Sequence, residues 1–150
     1  MRLNRRPRRG ATMVEFAVVG PVTFLLLIGL LVGGLGVFRY QATAYTAREA
    51  SRWAAVHGTD YALETGNAAA TAADVYNQAI APNATGLQLS QLSYSVTWNT
   101  NNSPYHTTTV NGQTVKVTNT VAVTVTYHWI PEAYLGGMSL SSTSVSVMSY

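Results

Sequence analysis

Few residues in this chain are able to do chemistry, and they are widely spaced. His57, His106 and His128 share no H-x-x-x-H or H-E-x-x-H spacing, so they form no helical metal pair and no metalloprotease motif. His57 and Asp60 stand three apart, but Gly58 between them breaks any helix that would align them. His128 falls on a strand face among threonines, a surface position. The acids Glu15, Glu49, Asp60, Glu64, Asp74 and Glu132 do not cluster into a metal site. With no cysteine there is no thiol nucleophile, disulfide framework or cysteine-based metal site. The chain has no G-x-S-x-G, P-loop or dinucleotide fingerprint. The expectation is a protein that is not an enzyme, with no cofactor and no metal. Glu15 is different, because it stands at the mouth of an apolar run. A carboxylate there costs free energy unless it has a partner.

That run sets the first element. Phe16 to Phe38 is 23 residues without an ionisable side chain. As a helix it is about 35 Å long, enough to span a bilayer core of about 30 Å with some tilt. Five arginines lie within the first ten residues (Arg2, Arg5, Arg6, Arg8 and Arg9), whereas the remainder carries a net −2, so the overall +3 belongs to the leader alone. A basic segment directly before an apolar helix reads as a cytoplasmic anchor under the positive-inside rule, with the C-terminal part outside. Arg39, Arg48 and Arg52 weaken that bias without reversing it. Nucleic-acid binding by the leader is the lesser reading, and no nucleic-acid partner is expected.

Three readings compete for residues 1–38. A Sec signal peptide has an apolar region of about 7–15 residues and a small-residue cleavage site; here the run is longer and Tyr40-Gln41-Ala42 is a poor site. The arginine pairs Arg5-Arg6 and Arg8-Arg9 suggest a twin-arginine signal, but Pro7 follows the first pair and no further motif residue supports it. An uncleaved single-span anchor, holding an extracytoplasmic binding domain, leaves Glu15 unexplained. A prepilin-type leader, cut on the cytoplasmic side before the run, predicts a short basic leader ending in Gly and a Glu at the fifth mature position. Gly10 precedes Ala11, and Glu15 is fifth from Ala11. Glycine suits the residue before the cut because extended backbone enters the protease unobstructed. The new α-amine of Ala11 is a cation, which a neighbouring subunit's Glu15 neutralises, and the pair sets register between subunits. Thr12 three residues before Glu15 has capping-box spacing, so Glu15 also reads as a cap of its own helix.

The stretches RRGATMVEFAVVGPVTFLLLIGLL and VFRYQATAYTAREASRWAAVHG resemble TadE-like proteins, minor pilins or pseudopilins of tight-adherence (Tad, Flp, type IVc) pilus systems. The resemblance rests on Gly10, Glu15-Phe16-Ala17, Pro21, the Leu-rich core, Ala47-Arg48-Glu49-Ala50 and Arg52, and covers residues 8–58. One departure is Gly20 before Pro21, where the family usually carries an apolar residue such as Leu. The resemblance implies a bitopic inner-membrane protein that functions in pilus assembly and can enter the extracellular pilus. Its implied partners are a prepilin peptidase, other Tad pilins, inner-membrane assembly proteins and membrane lipid.

The expected domains are a leader (1–10), a transmembrane and extended helix (11–58) and an extracytoplasmic domain (59–150). The helix is expected from near Thr12 to about His57, with a kink at Gly20-Pro21. Gly29-x-x-x-Gly33 has the small-xxx-small spacing that lets transmembrane helices approach closely. Beyond Phe38, alanines keep the helix slender, Tyr40 suits an interfacial belt, and Glu49 reaches Arg52 at i+3. About 110 residues then remain, one small domain. Asn67 is expected to cap a second helix over 68–81, ended by Pro82, with Ala72, Val75, Tyr76, Ala79 and Ile80 on one face. From Gly86 the period becomes two. Leu92, Tyr94, Val96 and Trp98 alternate with polar residues, as do Val121, Val123, Val125, Tyr127 and Trp129, and then Val145 and Val147. Asn111-Gly112 signals a hairpin, and 131–137 reads as a loop. The fold class is α+β: a long N-terminal helix continuing into a small domain with a three- to four-stranded antiparallel sheet, one face covered by helix. Charged residues are only 10%, against about 25% in soluble domains, which suits a domain outside the cytoplasm or packed in an assembly. Asn83-Ala84-Thr85 and Asn101-Asn102-Ser103 match glycosylation sequons.

Overall fold

A computed structural model describes residues 9–131 and 136–150. Residues 1–8 of the leader, and 132–135 of the expected 131–137 loop, lie outside the described residues. The chain divides into two compact units, Met1–Gly36 and Val37–Tyr150. The α+β class is borne out by one long helix, further short helices and two antiparallel sheets.

Helix α1 runs Arg9–Ala55, with Pro21 inside it. Proline has no N–H to give the carbonyl four residues back, and in the next turn the Thr23 hydroxyl is turned inward to Val19 O at 2.9 Å. In its second half the helix carries a buried stripe: Thr43, Thr46, Ala47, Ala50, Ser51 and Ala54 are all fully enclosed. These residues are small, so the sheet comes close, and their hydroxyls still find partners. Thr43 donates to Arg39 O at 2.9 Å, and Thr46 lies 2.9 Å from Ala42 O and 3.1 Å from Asn83 O. Ser51 Oγ lies 2.9 Å from both Ser144 and Ser146 Oγ.

The helix ends against the last residues. Ser149 N and Tyr150 N both donate to Ala55 O, at 3.0 and 3.3 Å, which satisfies a carbonyl the helix leaves open. Gly58 turns the chain in a space with no room for a side chain. A Cβ there would collide with Tyr150 O and stand 2.6 Å from Asn102 O.

The following helices differ from expectation. A short α2 (Thr59–Thr65) follows Gly58 and ends at Gly66 in the left-handed conformation, φ 72°. The second packed helix starts four residues later than Asn67 predicts. The amide of Asn67 donates to Thr65 Oγ1 at 3.1 Å, and Thr71 is the cap of α3 (Ala72–Val75). Thr71 accepts from Asp74 N while Asp74 accepts from Thr71 N, a reciprocal box. The helix then passes through a wider π turn, Tyr76–Ile80, into α4 (Ala81–Asn83), so Pro82 sits inside its last turn rather than beyond it. Proline there has no N–H to donate, so the preceding turn forgoes one backbone bond as the helix comes to its end. The expected apolar face holds: Val75, Ala79 and Ile80 are buried.

Strands β1 (Leu92–Trp98), β4 (Thr120–Trp129) and β5 (Met138–Val147) form an antiparallel sheet in the order β1-β4-β5. The alternation in β4 appears as drawn: Val121, Val123, Val125, Tyr127 and Trp129 are buried, while the residues between them are partly or fully exposed. Strands β2 (Tyr105–Val110) and β3 (Gln113–Thr118) form the expected hairpin. Its turn residues Asn111 and Gly112 both have positive φ, 51° and 77°, the type I′ geometry that matches strand twist. The hairpin is a separate two-stranded ribbon and does not extend the three-stranded sheet. Asn119, fully buried between β3 and β4, fixes the junction. Its amide donates to Asn101 Oδ1 and Ser103 O, both at 2.8 Å, and its Oδ1 lies 2.6 Å from His106 Nδ1.

The core lies between the sheet and the helices, with Ala47, Ala50, Ala54, Val75, Ile80, Val121, Val123 and Val125 at its centre. The opposite face of the sheet is hydroxyl-rich. Thr124 and Thr143 share a bond of 2.8 Å, and Thr126 and Ser141 one of 2.9 Å. His128 is exposed there beside Ser139, 3.4 Å away.

Candidate assembly segment

Within the first unit, Gly10 lies inside α1 rather than before it, since α1 includes Arg9–Ala11 as well as Thr12. Glycine weakens the helix at that point by about 1 kcal/mol relative to alanine. A Cβ at Gly10 would have open space around it, so no packing requires glycine there. Thr12 is inside the helix and is not its cap, which removes the reading of Glu15 as a capping-box partner. Glu15 sits in the second turn, solvent-facing, and among the described residues it makes no hydrogen bond or ion pair.

The residues that follow are apolar and outward on every side. Phe16 is 72% exposed, Leu25 71%, Leu30 74% and Leu31 69%. A helix apolar all round is built for lipid or for other helices. It is the one helix among the described residues long and apolar enough to cross a membrane. Gly29, Gly33 and Gly34 are open, with nothing within 4 Å of a built Cβ among the described residues. Gly20 lies under the Phe16 ring, 3.7 Å from a built Cβ.

In the second unit, a recess of about 540 Å³ is lined by Trp53, His57, Tyr61, Asn67, Asp74 and Gln78, with Ala68 and Ala70. Sequence reasoning passed over it, because its rings stand at i, i+4 and i+8 across the turn at Gly58, and neither α1 nor α2 carries all three. Trp53 and His57 stack with centroids 3.9 Å apart and planes 11° apart, and Tyr61 leans on His57 at 4.6 Å. Thr71 holds the carboxyl of Asp74 below the usual carboxylate range, chiefly through its hydroxyl and then its N–H. Both bonds go to Asp74 Oδ2, at 2.6 and 2.9 Å. The Glu49–Arg52 pair forms as expected, at 3.5 Å on the surface. Both sequon asparagines have engaged side chains: Asn83 donates to Ala79 O and Asn101 accepts from Asn119. Among the described residues, no three His, Asp or Glu side chains converge on a point that could hold a metal.

Comparison with known proteins supports the resemblance seen in the residues. A family model described as TadE-like protein matches residues 10–52. That span holds Gly10, Glu15, Pro21, Gly29, Gly33 and the Ala47–Arg52 stretch, and stops before the sheet. It is a structural, pilus-related family. No curated protein and no solved structure matches the chain.

Proposed function

We propose, with the TadE-like identity of residues 10–52 as premise, that this chain is a minor pilin or pseudopilin of a Tad/Flp (type IVc) pilus system. A prepilin peptidase removes the leader after Gly10, and Ala11 becomes the N-terminus. The exposed apolar half of α1 anchors the chain in the inner membrane, N-terminus in the cytoplasm and the second unit outside. During assembly the same surface packs against other pilins and inner-membrane assembly proteins, with Gly29 and Gly33 letting a neighbouring helix approach and Pro21 shaping the helix.

The observation that carries the proposal is Glu15. It is the acid at the mouth of the apolar helix, it is no capping-box partner of Thr12, and among the described residues it makes no hydrogen bond or ion pair. A charge in that position calls for a partner from outside. The α-amine of a neighbouring subunit's Ala11 has the opposite sign, and cleavage is what creates it.

The test is the intact mass and N-terminal sequence of membrane-purified protein, with the peptidase gene present and deleted. A chain starting at Ala11 only when the peptidase is present is the expected result. A chain starting at Met1 in both would leave an uncleaved tether for an outer binding domain. Glu15→Ala should leave the protein in the membrane and abolish or strongly reduce piliation. A tether would tolerate the substitution.

A further inference from the structure

We infer that the recess beneath the end of α1 is a binding site for a neutral saccharide. Its walls supply what a sugar ring requires. Trp53 and Tyr61, with His57 held between them, line it with the ring carbons that suit the apolar C–H face of a hexose. Asn67 and Gln78 bring amides that both donate and accept, and Asp74 Oδ1 takes none of the bonds that hold Oδ2. At about 540 Å³ the recess falls within the size range of small-molecule sites.

The site is held in place before any ligand arrives. Asn102 Nδ2 donates to Ala70 O at 2.6 Å, and Ala70 N donates to His57 O at 2.9 Å. Thr59 fixes the other side, its N and Oγ1 donating to Asn102 O at 2.7 and 2.8 Å. His57 Nδ1 sits 2.7 Å from Trp53 O, which sets the ring plane for stacking. A preformed wall lowers the entropy cost of binding.

Other ligand classes fit less well. Among the described residues no lysine or arginine lines the recess, and Asp74 is an acid held in its charged form, so phosphates and carboxylates meet a like charge. A quaternary ammonium is best held by rings that box a single point, whereas Trp53 and His57 lie almost parallel and in contact. The inference goes beyond the pilus reading and does not need it, because a soluble sugar finds the recess whether or not the chain enters a filament.

Saturation-transfer NMR on the full chain in lipid nanodiscs, free of glycosidic detergent, tests it. Glucose, galactose, N-acetylglucosamine and choline are each offered at millimolar concentration. Transfer to the ring C–H protons of at least one sugar is expected, reduced about five-fold in Tyr61→Ala, where one ring is removed. Gln78→Ala, an exposed position, should also reduce transfer while leaving the thermal transition unchanged, which keeps the result independent of folding. No transfer from any of the sugars, transfer that survives both substitutions, or transfer to choline alone would each overturn the assignment. Because the readout is binding and not piliation, its failure is separable from failure of the Ala11 cleavage test.

Discussion

The two halves of α1 obey opposite rules. From Phe16 to Leu35 the large apolar side chains are exposed; Phe24 is 64% accessible and Leu26 66%. From Thr43 to Ala54 the fully enclosed residues are small, Thr, Ala and Ser; Tyr45 is exposed and Trp53 packs only partly buried against the core. One continuous helix thus serves two environments. In the second half, small residues let the backbone settle close to a sheet that supplies the bulk, through Val121, Val123 and Val125. In the first half the large side chains are on the helix itself, and they are exposed. The first half is therefore long and apolar enough to cross a membrane, whereas the second half is fitted to a sheet.

The sharpest way to test that contrast is a matched pair. Ile80→Ala, a fully buried site, should cost about 4 kcal/mol of domain stability, whereas Leu26→Ala should leave it within about 0.5 kcal/mol. Thermal melts of both proteins in nanodiscs compare them directly, and equal losses would mean that the first half is also part of the folded core. Gly58→Ala comes next. Its Cβ meets backbone carbonyls, which cannot swing aside as a flexible side chain would, so a loss of about 3 kcal/mol is expected. The same substitution at Gly33, which faces open space, should leave the melt unchanged. The smallest effect belongs to the cap. Thr71→Ala should cost about 1 kcal/mol and should flatten part of the acid limb of stability against pH. Asp74 has a lowered folded-state pKa. Its contribution is therefore complete above the ordinary carboxylate value of 3.8 and fades as pH falls through its lower folded value. A melt series from neutral to acid pH shows whether the variant loses that portion of the slope.

Much of this was legible in the residues, for identifiable reasons. Alternation through β4 works as a signal because its pattern of valines and threonines matches a sheet with one covered face. Asn111-Gly112 works because few residue pairs accept two positive φ angles in succession. Gly10 and Glu15 stand out by spacing alone, the acid being the fifth residue after the glycine. Other features were hidden. Periodicity marks Val145 and Val147 as strand residues but does not say which way they face. They are 62% and 58% exposed, and Ser144 and Ser146 turn inward to Ser51. The pairing of Val147 with Thr120 and Val145 with Ala122 fixes that choice, and it is long-range. Helix α2 shows no apolar stripe, and its Leu63 is 79% exposed. Thr71 outcompetes Asn67 as a cap because Asp74 stands three residues on to reciprocate. Nothing local says that β2 and β3 pair only with each other.

The bonds from Ser149 and Tyr150 to Ala55 also set an order of events. Ser149 reaches a carbonyl 94 positions earlier in the chain, and β5 just before it completes the sheet that encloses Ala50 and Ala54. Until that stretch arrives, Ala55 O lacks its bonds from Ser149 and Tyr150, and the sheet facing the second half of α1 consists of β1 and β4 without β5. The first half needs no such wait, because its apolar surface is complete on emergence. Closure then comes as one late step, when the last strand docks beside β4 and ties off the end of the helix.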